Sequence, residues 1–361
     1  MNDSPIRLAG RLLVLTERTR TVVGALLAAL VSSQAATAHA LDLQVTKAGL
    51  QYLVQRVLDT VARPRAVGVA LLTAFVAIGT PAAEAADIQV AATGLEFPEG
   101  TVFAAGALHF VDYSTSSVLR LREGRVEQVW HQDGCGANGL VPVPGGLLVA
   151  CYESGTIVRI SLDGKTQETL RADDRGRSFA CPNDLAADAR GGVYFSASGS
   201  ASTPGKVYYR TTSGQVREVA TNIRYANGLT VSPDGKTLYL AESEAGRLLA
   251  FSISTDGSLG PQREFAKLAD LLSATGEPTF TPDGLRTDKD GNLFVGLYRG
   301  GGIAVLSRDG KLLKFVRLPG AHHANLALSP DRRTIFITSA DDRPDGSYRG
   351  ELLAVPNPVG R

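Results

Sequence analysis

Asn227-Gly228-Leu229-Thr230-Val231-Ser232-Pro233-Asp234-Gly235-Lys236-Thr237-Leu238-Tyr239-Leu240 holds the pattern that decides the fold. Two short apolar runs flank Pro233-Asp234-Gly235, a turn sequence whose glycine tolerates positive φ, so the stretch reads as a β-hairpin. The same design returns where Asp288-Lys289-Asp290-Gly291-Asn292 separates Gly284 to Thr287 from Leu293 to Gly296. Asp288-x-Asp290-Gly291 resembles the start of a calcium loop but lacks the glutamate at its twelfth position, so it reads as a turn. No long helical period appears after residue 87; the nearest candidate helix is short, Phe265 to Ser273.

Outward from this hairpin the chain repeats a unit: a small loop, a strand, a turn and a second strand. The loops are Phe97-Pro98-Glu99-Gly100, Ala137-Asn138-Gly139-Leu140, Pro182-Asn183-Asp184-Leu185, Ala226-Asn227-Gly228-Leu229, Pro282-Asp283-Gly284-Leu285 and Ala324-Asn325-Leu326. Counted from Glu99, Asn138, Asn183, Asn227, Asp283 and Asn325, the steps are 39, 45, 44, 56 and 42 residues. That spacing suits a four-stranded propeller blade. The pattern predicts an all-β, six-bladed β-propeller over residues 87–361. Ile88 to Ala92 is expected to complete the last blade beside Glu351 to Val355.

Residues 1–86 read differently. Arg18 and Arg20 precede the apolar run Val22 to Val31, which leads to Ala38-His39-Ala40. Arg63 and Arg65 precede a second run, Val67 to Ile78, which leads to Ala83-Glu84-Ala85. Each has the basic start, short apolar middle and small −3 and −1 residues of a secretory signal. Both runs are shorter than the roughly 20 residues of a membrane span. The expectation is cleavage near residue 85 and an exported, periplasmic or secreted domain of 276 residues without a stable membrane span. Two alternatives stay open: a translation start near Val57 or Val61, and an N-terminal extension made helical by Leu50, Leu53, Val54, Val57, Leu58 and Val61.

Composition narrows the function. A net charge of +1 provides no field for nucleic acid or anionic lipid. Three cysteines without a C-x-x-C exclude a zinc ribbon. In an exported domain Cys135 and Cys181, which precede adjacent anchors, are a candidate disulfide, with three free thiols as the alternative and Cys151 a buried thiol. No Gly-x-Ser-x-Gly is present, which argues against a serine esterase.

The inner strands of a propeller line its channel, so the anchors converge at one mouth. Two carboxylates and four amides form an all-oxygen ring suited to one divalent cation, Ca2+ first, with Mg2+, Mn2+ or Zn2+ as alternatives. Taken singly, Asn-Gly and Asp-Gly are ordinary turn formers. Such an ion would polarise a carbonyl of a bound small molecule. His322 and His323 precede Asn325, which makes His322 a candidate second proton carrier and a surface pair the alternative.

With Glu96-Phe97-Pro98-Glu99-Gly100, Pro182-Asn183-Asp184-Leu185, Asn227 to Lys236 and Pro282-Asp283-Gly284-Leu285 in view, residues 94–355 resemble the senescence-marker-protein-30/gluconolactonase/luciferin-regenerating-enzyme-like family, which includes regucalcin. The resemblance implies a metal on Glu99, Asn183, Asn227 and Asp283, proton transfer by Asp283 and substrate contact by Asn183. Asn138 is a further candidate substrate contact. Sugar lactonases of the family carry an arginine two residues before the position of Asn183; here Cys181 stands there, and Arg177 is the candidate substitute. The expected activity is a metal-dependent lactone or ester hydrolase. The alternatives are a metal-stabilised binding or scaffold propeller, or a strictosidine-synthase-like enzyme. The sequence leaves the oligomeric state open.

Overall fold

The computed structural model describes residues 88–273 and 280–360. The two signal-like segments and the division at residue 86 lie outside the described residues.

The strands run in chain order. β1 (Gln89–Leu95) is followed by β2 (Pro98–Ala104), β3 (Ala107–Asp112), β4 (Ser117–Arg122) and β5 (Arg125–His131), of which β2 to β5 form one antiparallel sheet. A second sheet holds β6 (Ala137–Val143), β7 (Gly146–Cys151), β8 (Thr156–Ser161) and β9 (Thr166–Leu170). The third holds β10 (Pro182–Ala187), β11 (Val193–Ala197), β12 (Gly205–Arg210) and β13 (Val216–Ile223). The fourth holds β14 (Ala226–Val231), β15 (Thr237–Glu242), β16 (Arg247–Ser252) and β17 (Arg263–Lys267). The short helix α1 (Leu268–Leu272) follows, so only the second half of the expected helical segment is helical.

The remaining strands are β18 (Thr281–Thr287), β19 (Leu293–Tyr298), β20 (Gly302–Leu306), β21 (Leu312–Arg317), β22 (His322–His323), β23 (Leu326–Leu328), β24 (Thr334–Asp342) and β25 (Tyr348–Pro356). Together with β1 they form one nine-stranded sheet. The described residues therefore form a propeller-like all-β fold with four separate four-stranded sheets, where six were expected. The cause is β22: His322 pairs with both Tyr298 of β19 and Ala340 of β24, which joins two strand groups into one sheet. β1 pairs with β25 as the repeat required, Gln89 opposite Ala354 and Val90 opposite Leu353.

Burial explains the ring. One sheet cannot cover both of its apolar faces, so each packs on the next. Val111, Val118 and Trp130 of the first sheet meet Leu140, Leu147 and Val149 of the second. Leu148 and Ile157 of the second meet Phe195 and Tyr208 of the third. Ala92, Leu352 and Ala327 close onto Leu108 and Phe110 of the first. Truncating a fully buried ring such as Phe110 to alanine would cost about 3–5 kcal/mol. The inner strands β2, β6, β10, β14, β18 and β23 each lie beside the next, and β23 lies beside β2.

Cys135 is bonded to Cys151, with Cα atoms 4.6 Å apart, and Cys181 is a free thiol. This corrects the expected Cys135–Cys181 pair. The loop before β6 folds back on the end of β7, where the Glu153 N–H donates to the Cys135 carbonyl and Ala137 pairs with Cys151. A neighbour within one hairpin is thus closer than the equivalent position of the next sheet.

Candidate functional site

Five anchors sit at the same irregularity. Pairing of each inner strand with its neighbour slips between Glu99 and Val102, Ala137 and Gly139, Pro182 and Leu185, Ala226 and Leu229, and Pro282 and Leu285. A bulge of this kind re-aims a side chain that regular pleating would direct elsewhere. The glycines after the anchors serve close approach rather than turns. A Cβ on Gly139 would lie 2.3 Å from the Asn183 carbonyl oxygen, and one on Gly228 would lie 2.2 Å from that of Asp283.

The bulges direct Glu99, Asn138, Asn183, Asn227 and Asp283 onto one cavity of about 430 Å3. Asn325, the sixth anchor, does not line it. Its Oδ1 accepts from Thr101 N–H (3.2 Å), Thr101 Oγ1 (3.0 Å), Leu326 N–H (2.9 Å) and Arg286 Nη2 (3.1 Å).

The site carries more negative charge than its surroundings balance. Burial, then the charges of Asp283 and Asp184, push the Glu99 carboxyl well above its usual range, although the Gly100 N–H and the Asn325 side chain pull the other way. Burial and then Asp184 do the same to Asp283, partly opposed by the Asn227 amide. Asp184 is itself raised, by burial, against the pull of Arg286. Among the described residues no lysine, arginine or histidine lines the cavity.

Asn227 adds a second sign of an incomplete site. Its Nδ2 donates to Ser243 Oγ (3.1 Å), and Ser243 Oγ donates to the Pro282 carbonyl (2.6 Å). Asn227 Oδ1 is left buried and without a hydrogen-bond partner. Buried acceptors are normally satisfied, by protein, water or an ion. Two buried carboxylates, an orphaned amide oxygen and no lining cation suit a hard cation with oxygen ligands. No group of three His, Cys, Asp or Glu is set to hold a metal among the described residues, so such a site would draw on amide oxygens as well.

Two candidates fall elsewhere: neither Arg177, the candidate substitute arginine, nor His322, the candidate proton carrier, lines the cavity. Arg177 Nη2 pairs with Asp173 (2.6 Å) and its Nη1 with Glu218 (3.2 Å), away from the cavity lining. The His322 ring is fully buried, stacks on Tyr298 at 4.1 Å, and brings Nε2 to 3.1 Å from Asp342, out of line for a hydrogen bond. Strand β22 directs it behind the wall that Tyr298 forms.

Beyond Tyr298, that wall was missed. Phe97, Tyr113, Tyr152, Tyr225, Tyr298 and Tyr348 line the cavity, with Glu244 and Thr281. A signal existed in the repeat. Tyr113, Tyr152, Ser198, Ser243 and Tyr298 each follow the residue paired with the one before an anchor.

Comparison with known proteins places this geometry. The model of the SMP-30/Gluconolactonase/LRE-like region matches residues 97–341. The chain belongs to the SMP-30/gluconolactonase/LRE-like family. It is 26% identical over 204 residues to a pentonolactonase of Haloferax volcanii, a match that covers 56% of this chain and 66% of the relative. It is 30% identical over 231 residues to a lactonase of Staphylococcus aureus, covering 59% and 67%. The chain thus spans about two thirds of the length of these relatives. The solved structure of a gluconolactonase from Xanthomonas campestris shares the fold, with a TM-score of 0.63, 24% identity and coverage of 75% and 89%. The SMP-30-family match includes five anchors that share the bulge and excludes β1 and β25.

Proposed function

We propose that this protein is a divalent-cation-dependent hydrolase of a lactone or ester. The observation that carries the reading is the buried, unpartnered Oδ1 of Asn227 in a cavity that also holds the carboxylates of Glu99 and Asp283. Glu99, Asn183, Asn227 and Asp283 would hold the ion, and their hard oxygen donors favour Ca2+. When bound, a divalent cation supplies the positive charge that polarises a carbonyl and stabilises a developing oxyanion. Asp283 accepts a proton from the attacking water and returns one to the leaving oxygen. Asn138 and Asn183, on neighbouring inner strands, orient the substrate oxygens. The lactonase names of two relatives support the substrate class.

Two structural readings accompany this function. The nine-stranded sheet is two blades, β18 to β21 and β23 to β25 with β1, joined by β22, which makes six. Export to an oxidising compartment agrees with the Cys135–Cys151 bond. The test of function is a lactone and ester panel assayed with Ca2+ and with EDTA. Turnover that EDTA abolishes and Ca2+ restores supports the reading, and turnover indifferent to EDTA contradicts it.

A further inference from the structure

The cavity lining joins carboxylates and amides to a set of aromatic rings, and the rings specify what kind of lactone or ester enters. Six partly buried rings form a connected arc. Phe97 lies 4.6 Å from Tyr348, 6.2 Å from Tyr113 and 6.4 Å from Tyr298, and Tyr113 lies 6.1 Å from Tyr152. Tyr225 continues the arc through a 3.1 Å hydroxyl contact with Tyr152.

Three of the tyrosine hydroxyls are already engaged by protein. Tyr152 and Tyr225 bond each other, and Tyr113 donates to Glu153. What these side chains offer a ligand is ring surface rather than hydrogen bonds. The Cys181 thiol lies beside Tyr152 and Tyr225 and adds another soft, weakly polar group behind them. A polyhydroxylated ligand would lose water along Tyr113, Tyr152 and Tyr225 and recover few hydrogen bonds there, which costs affinity.

The charged groups point the same way. Glu244 is the acid on the lining besides Glu99 and Asp283, and no basic side chain accompanies it among the described residues. A ligand bearing carboxylate or phosphate away from its scissile bond, and so away from the proposed cation, meets no basic side chain on the lining to balance its charge. A neutral ring gains offset-stacked or edge-to-face contacts with the arc.

We propose that the site selects neutral lactones or esters bearing an aromatic or comparably apolar ring, and discriminates against sugar lactones and anionic substrates. This rests on the hydrolase reading above and goes further by naming the substrate class. The ester end of the ligand lies toward Glu99, Asn183, Asn227 and Asp283, and the ring lies against Phe97 and the tyrosines.

The test compares kcat/KM of the full chain in Ca2+ for γ-phenyl-γ-butyrolactone, γ-butyrolactone and glucono-δ-lactone. The phenyl lactone is expected to exceed glucono-δ-lactone on the order of a hundredfold, from burial of one ring. Tyr152→Leu, checked for folding by its melting curve, should lower the phenyl-lactone value through KM, and by about fivefold more than the γ-butyrolactone value. Equal or better turnover of glucono-δ-lactone overturns the substrate class while leaving the hydrolase reading intact. Failure to turn over any of the three, or phenyl acetate assayed beside them, overturns both.

Discussion

Arg286 Nη1 stands 3.3 Å from Oδ2 of the buried Asp184, next in sequence to a proposed ligand and on a different inner strand. The same guanidinium donates to the carbonyls of Leu285 (2.7 Å) and Thr101 (3.0 Å) and to Asn325 Oδ1 (3.1 Å). One side chain therefore ties β2, β10, β18 and the start of β23 together beside the cavity. Where four of the other five anchors, Glu99, Asn138, Asn227 and Asp283, are followed by glycine, Asn183 is followed by Asp184, and Arg286 answers its charge.

Arg286→Met should destabilise the protein by roughly 3–5 kcal/mol, because it leaves a buried carboxylate unpaired. Urea unfolding measures this. Asp184→Leu combined with Arg286→Met is expected to be less destabilised than Arg286→Met alone, since the double variant buries no orphan charge. Equal losses in both would contradict the pairing.

The disulfide closes a short loop, 16 residues in sequence separation, and its removal should cost about 3 kcal/mol. Alkylation of the unfolded, unreduced protein followed by mass spectrometry should modify Cys181 alone and leave the peptides of Cys135 and Cys151 linked. A Cys135–Cys181 peptide would refute this pairing.

Acid stability should depend on Asp188. Burial pushes this carboxyl up, but it accepts from Arg190 Nη2 (2.8 Å), Tyr209 Oη (2.9 Å) and the backbone N–H groups of Arg190 (2.8 Å) and Gly192 (2.9 Å), and the net shift is downward from the ordinary 3.8. A depressed folded-state value adds stability above the unfolded value, and this is lost as pH falls through the folded one. Urea unfolding of wild type and Asp188→Asn should therefore differ most above about pH 4 and converge below it. A gap that widens toward acid would contradict the assignment.

What the sequence disclosed and what it hid have separate physical causes. Glu99, Asn183, Asn227 and Asp283 were legible because the repeat carries their equivalence, and equivalent bulges bring them to one cavity. Asn325 shares the repeat position, but hydrogen bonds to β2 and Arg286 occupy its oxygen, which spacing does not reveal. His322 lies three residues from an anchor, yet two residues of strand pairing place its ring behind Tyr298. The same pairing fuses two strand groups, and no turn signal announces it. Tyr113 and Tyr152 were hidden because their equivalence lies in cross-strand register rather than in a motif.

The most direct test is a calorimetric titration of EDTA-stripped protein with Ca2+, for wild type, Asn227→Leu and Asp283→Asn. Each variant's melting curve is recorded in EDTA, where Asp283→Asn should melt no lower than wild type because it removes one of the mutually repelling buried charges. Wild type should take up a single ion per chain, and each variant should bind at least about tenfold more weakly. Wild-type affinity in both folded variants, or no heat in the wild type, would contradict a cation held by Glu99, Asn183, Asn227 and Asp283.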